Sequence, residues 1–266
     1  MKKISIVIFA ALFAISCNEK KEGPSATNDL FLDNLKGAVQ QTMETPYQTD
    51  STGKIGVMDS CCISLGNYDS AGNFNKYVSK DGKGNIKFEQ SISRYDNSLF
   101  KEITNSANSK QSGRITIQLD KEGKKYATAI DYDSSGKLSS FYKDITQNEY
   151  NQLTSIKQYK PDSTLKQSEE TKYDKQIFVE QTTKDSSGKE ISKTSAKVDD
   201  KGNQIESTRT STMKDAKTKK DSTTTKITKY KYDSFDDKGN WTQRTEMDEK
   251  GKPTKIVKRE ITYYKK

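Results

Sequence analysis

Three cysteines are the residues of this sequence with the most specific chemistry. Cys17 follows a positively charged start, Met1–Lys3, and an apolar run from Ile4 to Ile15. Such a run is too short to span a bilayer, which takes about 20 apolar residues, but it is typical of a signal peptide. The run ends in Ala14-Ile15-Ser16-Cys17, as at lipoprotein cleavage sites, although Ala14 stands where leucine is usual. The alternative is an ordinary cleavage site with Cys17 as a bystander. The sequence favours a lipid on Cys17.

The lipid predicts a location and a domain plan. Residues 1–16 form the signal peptide, residues 17–34 a lipid-anchored tether, and residues 35–266 the folded domain. The polar stretch 18–25 suits a flexible tether. Cleavage removes Lys2 and Lys3, so the formal net charge falls from +9 to +7. We expect an outer-membrane lipoprotein, on the cell surface or the periplasmic face, with no nucleic-acid partner.

The other two cysteines, Cys61 and Cys62, are adjacent, and the chain contains no histidine. Without histidine, Ser-His and Cys-His catalysis are excluded, and zinc or iron sites are disfavoured. Adjacent cysteines can join through a strained ring, bridge two chains or stay as thiols. Their spacing does not match a zinc or redox motif. We favour a local structural role.

One short motif, Asp-x-x-Gly followed by Asn or Lys, recurs nine times. Its copies are Asp50–Lys54, Asp69–Asn73, Asp81–Asn85, Asp120–Lys124, Asp133–Lys137, Asp185–Lys189, Asp199–Asn203, Asp236–Asn240 and Asp248–Lys252. Asp accepts hydrogen bonds from the following backbone, and Gly supplies the positive φ that closes a tight turn. The structural turn residues are therefore Gly53, Gly72, Gly84, Gly123, Gly136, Gly188, Gly202, Gly239 and Gly251. Each copy predicts the tip of a β-hairpin.

The segments between these turns alternate as strands do. Tyr126, Thr128, Ile130 and Tyr132 share one face, and Val257, Arg259, Ile261 and Tyr263 share another. Only 30% of the chain is hydrophobic, which argues against a thick core. The expected fold is an all-β, elongated antiparallel meander of repeated hairpins. A short helix is expected near 28–35 and a strand near 37–47. The stretch 208–231, rich in Lys and Thr, is either a long solvated hairpin or a disordered loop.

The acidic turns raise the question of calcium. Asp233, Asp236, Asp237 and Asn240 form the densest group. Calcium takes six or more oxygen ligands, and one such loop supplies too few. We therefore expect no metal and no cofactor.

Tyr-Asp doublets precede or enter several turns, at Tyr68-Asp69, Tyr95-Asp96, Tyr132-Asp133, Tyr173-Asp174 and Tyr232-Asp233. With these doublets the chain resembles the YD/RHS-type β-repeats of bacterial envelope proteins, in particular uncharacterised YD-repeat-like lipoproteins. In those, Leu-Lys-Gly-x-Val opens the domain and Arg-Glu-Ile-x-Tyr closes it, as Leu35–Val39 and Arg259–Tyr263 do here. The Gly-Arg-Leu step of strict RHS repeats is missing, and the chain is too short for a toxin-enclosing shell. The resemblance implies architecture and location, and carries no catalytic residues.

Three functions remain open. The first, which we favour, is non-enzymatic binding or scaffolding of an unknown protein or glycan through a β-repeat surface. The second is a glycan hydrolase, which needs only two carboxylates roughly 5–10 Å apart. The third is a carrier of apolar envelope ligands, which would need a continuous apolar face or cavity.

Overall fold

The computed structural model describes residues 28–32, 34–50, 52–214 and 220–265, and nearly all of them lie in strands or tight turns. One helical turn, α1 (Asp29–Leu32), precedes seventeen strands: β1 (Val39–Thr49), β2 (Ile55–Met58), β3 (Ile63–Tyr68), β4 (Phe74–Lys80), β5 (Ile86–Arg94), β6 (Phe100–Ala107), β7 (Lys110–Leu119), β8 (Tyr126–Asp133), β9 (Leu138–Gln147), β10 (Leu153–Tyr159), β11 (Leu165–Asp174), β12 (Ile177–Asp185), β13 (Glu190–Val198), β14 (Gln204–Lys214), β15 (Asp221–Phe235), β16 (Trp241–Met247) and β17 (Pro253–Tyr263). The predicted antiparallel β-meander is confirmed. The predicted signal peptide and the predicted lipid-attachment residue Cys17 lie outside the described residues.

The meander closes on itself, whereas the sequence analysis predicts an elongated meander. β1 pairs with β17 on one side, with Glu44 opposite Arg259, and with β2 and β3 on the other. Because β2 and β3 follow one another along the same side of β1, the seventeen strands occupy sixteen positions. The result is a sixteen-strand antiparallel barrel. Closure satisfies the backbone groups that two edge strands would leave unpaired.

The hairpins alternate between the two ends of the barrel. One end, here called the cap end, holds the turns at 69–73, 95–99, 120–125, 148–152, 175–176, 199–203 and 236–240. The opposite end holds, among the described residues, those at 50–54, 81–85, 108–109, 133–137, 160–164, 185–189 and 248–252. β17 ends and β1 begins at the cap end, where Val39 lies opposite Tyr263. The helical turn α1 (Asp29–Leu32) also lies at this end. This part of the predicted tether, residues 17–34, is therefore packed onto the barrel.

Alternation along each strand separates an inner from an outer face. An apolar cluster fills the part of the interior nearer the cap end; it includes Val39, Ile92, Ile103, Ile117 and Ile156. The outer face carries ion pairs such as Lys172 Nζ to Glu180 (3.0 Å) and Lys197 Nζ to Glu206 (2.7 Å). The Lys/Thr-rich stretch forms the paired strands β14 and β15, apart from 215–219, which lie outside the described residues. No helix in the described part of the chain is long and apolar enough to cross a membrane.

Candidate functional site

The chain just before β1 crosses the cap end and is tied to three hairpin turns. We call residues 28–32 and 34–38 the cap segment. Asn28 Nδ2 donates to the carbonyl of Ala71 (2.9 Å), and Asn34 Nδ2 donates to Asn203 Oδ1 (2.8 Å). The Asn240 amide both accepts from the Lys36 N–H (2.7 Å) and donates to the Lys36 carbonyl (2.9 Å). The turn motifs therefore hold the segment as well as reversing the chain.

Asp29 is the buried anchor of the cap segment. Its carboxylate pairs with Arg94 at the end of β5 and accepts the Phe74 N–H (2.7 Å). Burial raises the pKa of Asp29 more than these partners lower it. The Arg94 guanidinium in turn lies over the Phe100 ring, 4.4 Å from its centroid. This chain of contacts joins the segment to the wall of a cavity.

The cavity lies beneath the cap segment and has a volume of about 180 Å³. Side chains from β5 to β12 and their cap-end turns form most of its lining. The lining residues are Asn28, Asp29, Arg94, Asn97, Ser98, Leu99, Phe100, Tyr126, Tyr150, Asn151, Gln152, Leu153, Ser155, Ile156, Glu169, Thr171, Tyr173, Gln176 and Gln181. An apolar cavity of about 150 Å³ holds a benzene ring, so this one accommodates a six-membered ring with substituents.

Aromatic side chains form one wall of the cavity. The rings of Phe100 and Tyr126 stack with centroids 6.2 Å apart and planes 18° from parallel. The Tyr126 hydroxyl accepts the Phe100 N–H (3.1 Å), which fixes both rings. Burial raises the pKa of Tyr126 to about 12, so the phenol stays neutral. Behind these rings a smaller apolar space reaches Ile117, Ala129 and Ile145.

Glu169 is a buried carboxylate in the wall of the cavity. It lies on the inner face of β11 and is 7% exposed. Gln167 Nε2 donates to one of its oxygens (3.2 Å) and Gln181 Nε2 to the other (3.4 Å). Burial raises the pKa of this carboxyl. Another lining side chain, Gln176, has a buried Oε1 with no hydrogen-bond partner.

The sequence-predicted turn glycines are spread over both ends of the barrel and form no common site. Each has φ between 70° and 86°. In the typical copy, Asp236 Oδ1 accepts the N–H groups of Lys238 (3.0 Å) and Asn240 (2.9 Å). The carboxylates are thus occupied by their own turns. Across the described ranges, no group of three or more acidic or cysteine side chains is arranged to hold a metal ion.

Cys61 and Cys62 lie between β2 and β3 and are joined by a disulfide. Both are exposed, as is Val57 on β2. The backbone carbonyl of Ser60 accepts the Gly82 N–H (2.8 Å), which ties this connection to the turn between β4 and β5. The disulfide is remote from the cavity, and its placement suits the local structural role expected from the sequence.

A second interior cluster, which the sequence did not suggest, lies where the barrel closes. Glu44 on β1 accepts from Arg259 Nε (2.9 Å) and Nη2 (2.5 Å) on β17. The Arg259 and Arg244 guanidinium groups lie 3.5 and 4.7 Å from the Trp241 ring centroid. Arg244 also pairs with Glu246 (3.1 Å). Two cations and two carboxylates balance here, so we assign this cluster to the structure of the seam.

The cavity residues carry no motif that sequence analysis could have found. Arg94, Phe100, Tyr126 and Glu169 come from four strands and are ordinary members of alternating patterns. The one signal in the sequence was that Glu169 occupies an inward-facing position in the alternation of β11, on a face that also carries apolar side chains. Without the strand order, the inward position of Glu169 does not reveal that it lines a pocket.

Comparisons with known proteins show a similar fold but no family. No family model matches the chain, and no curated protein matches it. Among solved structures it is similar to a porin-like protein from Bacteroides uniformis, with 12% identity and a TM-score of 0.51 over 85% of this chain and 98% of that one. A porin-like protein from Bacteroides vulgatus matches over the same shares, with 10% identity and a TM-score of 0.41. A Photorhabdus luminescens Tc holotoxin pore matches with 13% identity and a TM-score of 0.30, over 80% of this chain and 11% of that one. The first of these likenesses supports the barrel architecture.

Proposed function

We propose that this protein is a lipid-anchored component of the bacterial envelope that binds a small ligand in the cap-end cavity and catalyses no reaction. The cavity itself carries the proposal. Sites for small molecules are concave, mostly apolar, and furnished with a few convergent polar groups. Here the Phe100 and Tyr126 rings form the wall, while Glu169, Gln176 and Gln181 supply the polar groups. The binding role expected of a broad β-surface thus moves to a pocket.

The outer face supports a barrel that stands in water beside the membrane. Lys184 pairs with Glu170 (3.0 Å) and Lys193 with Glu180 (2.8 Å), all on the outer faces of β11, β12 and β13. A membrane-spanning barrel presents an apolar band there, and a lysine or arginine at mid-membrane costs about 2–4 kcal/mol. A lipid on Cys17 supplies the attachment instead.

The tether sets the distance to the membrane. Residues 17–27 connect Cys17 to the cap segment, and eleven extended residues reach about 36–40 Å at most. The cap end, and with it the cavity, is the part of the barrel closest to the anchor along the chain. We therefore place the ligand site near the bilayer surface.

The lining carboxylates favour binding over hydrolysis. Two carboxylates line the cavity, Asp29 and Glu169. Asp29 is committed to Arg94 and to the Phe74 N–H, which leaves Glu169 without a free acidic partner. A glycosidase needs one acid and one base or nucleophile, both available to the substrate. The apolar space behind Tyr126 instead favours a ligand with an apolar part, as in the carrier hypothesis.

Filling the cavity tests the binding proposal. Thr171 lies on the inner face of β11, and Thr182 lies on the outer face of β12. We expect 2-phenylethanol, a small aromatic probe, to bind the wild-type chain and the Thr182→Trp control, but not Thr171→Trp. Chemical-shift changes in protein-observed NMR report the binding site. If the probe binds Thr171→Trp as tightly as it binds the wild type, the cavity is not the site.

The anchor is tested separately. We expect Cys17→Ala to move the protein from the membrane fraction to the soluble fraction without changing its melting temperature. Digestion of intact cells with a membrane-impermeant protease then assigns the cell-surface or periplasmic face. Persistence of the variant in the membrane fraction would contradict the lipid anchor.

A further inference from the structure

Glu169 is a buried carboxylate without a cation. In the part of the chain that the structure describes, it makes no ion pair, and its two hydrogen-bond donors are the neutral amides of Gln167 and Gln181. Buried charges in proteins are normally paired, because an unpaired charge loses its hydration without compensation. The only other charged groups of the cavity lining, Asp29 and Arg94, neutralise each other. The ionised cavity therefore has a net charge of −1.

The surroundings of Glu169 suit a cation better than they suit water alone. Tyr173 lies four residues further along β11, and both side chains line the cavity. The stacked rings of Tyr126 and Phe100 give another part of the wall an aromatic surface, which suits the apolar part of a ligand. The same carboxylate repels anions from this low-dielectric space.

We infer that the cavity selects an organic ammonium ion bearing an aromatic or compact apolar group, with the ammonium at Glu169 and the apolar group against Phe100 and Tyr126. This inference rests on the proposed function, since it names the ligand class of the same cavity. The ammonium supplies the missing countercharge, and the volume of about 180 Å³ accommodates one substituted ring.

Three probes of one shape separate the charge from the ring. Phenethylamine carries the ammonium, 2-phenylethanol is its neutral counterpart, and 3-phenylpropionate carries a negative charge. A charge-assisted hydrogen bond stabilises a complex by about 1.5–3 kcal/mol, so we expect phenethylamine to bind the full chain roughly 10- to 100-fold more tightly than the alcohol. We expect no measurable binding of the propionate. Isothermal titration calorimetry gives the three dissociation constants.

Glu169→Gln is the decisive variant, and Glu170→Gln is its matched control. The two residues are neighbours on β11, but Glu170 faces outward and pairs with Lys184. We expect Glu169→Gln to abolish the preference for phenethylamine while 2-phenylethanol still binds, and Glu170→Gln to retain the preference. A wild-type protein that binds amine and alcohol equally, or a Glu169→Gln variant that keeps the preference, overturns the ammonium assignment and leaves the cavity proposal standing. Failure of all three probes overturns both.

Discussion

The seam between β1 and β17 offers a test of what holds the barrel closed. Glu44→Gln keeps the shape of the side chain but removes the charge that Arg259 and Arg244 share. Removing one partner of a buried ion pair costs about 3–5 kcal/mol. Arg259 is only 9% exposed, but Glu44 retains 24% of its side-chain surface, so we expect the low end of this range, about 3 kcal/mol. For a domain of this size that lowers the melting temperature by roughly 6–12 °C.

The assay is thermal unfolding followed by circular dichroism, with Glu102→Gln as the control. Glu102 also faces an arginine, Arg114, but on the outer face, at 3.7 Å and with both side chains more than a third exposed. Exposed pairs contribute about 0–1 kcal/mol, so the control should melt within a few degrees of the wild type. Equal melting temperatures for Glu44→Gln and Glu102→Gln would refute the role of the seam cluster.

The same cluster predicts a pH dependence. Burial alone raises the pKa of Glu44, but the charges of Arg259 and Arg244 outweigh it and leave the pKa below its ordinary 4.5. The unfolded chain therefore binds this proton more readily than the folded one. The contribution of the ionised Glu44 to the free energy of unfolding is complete above pH 4.5, and it is lost as the pH falls through the folded-state pKa. The stability difference between wild type and Glu44→Gln should shrink over that acidic range in urea titrations at stepped pH.

Three further changes concern the cap end. Gly72→Val should destabilise the protein more than Gly239→Val in matched melting curves. Both glycines take positive φ, which costs a branched residue about 1–3 kcal/mol. A Cβ on Gly72 would also lie 2.8 Å from Leu30 Cδ1, whereas the atom nearest to a Cβ on Gly239 would be 3.5 Å away. Asn240→Ala should lower the free energy of unfolding in urea by about 2 kcal/mol, because this 1%-exposed amide hydrogen-bonds to both the N–H and the carbonyl of Lys36. An unchanged urea midpoint would show that Asn240 does not stabilise the cap segment. Asp29→Asn should leave Arg94 unpaired and speed amide exchange in the cap segment, and unchanged exchange would show that the ion pair does not hold it.

The hairpin tips were predictable because each is decided within five residues. Asp185 and Gly188 suffice to specify their turn, since the side-chain acceptor and the residue tolerant of positive φ are both local. The inner face of β17 was likewise readable from the alternation of Val257, Arg259 and Ile261.

Closure and the cavity were not predictable, because both depend on pairings between distant residues. No residue near Glu44 in the sequence indicates that its side chain will pair with Arg259, 215 residues later. The low apolar content was interpreted as a thin, open sheet; a barrel accommodates the same composition by enclosing polar side chains such as Ser140 and Gln158, which hydrogen-bond to each other at 2.8 Å. Glu169 reaches the cavity only once β11 is placed beside β10 and β12.

The pairing of the first long strand with the last sets a constraint on how the protein is made. Apart from β1 with β3, every other neighbouring pair in the described part of the chain joins consecutive strands, and such local contacts form quickly. β1 can pair with β17 only once the whole chain is available, and bringing such distant residues together carries a large loop-closure entropy. Until then the growing sheet exposes two unpaired edges, and exposed edges promote aggregation.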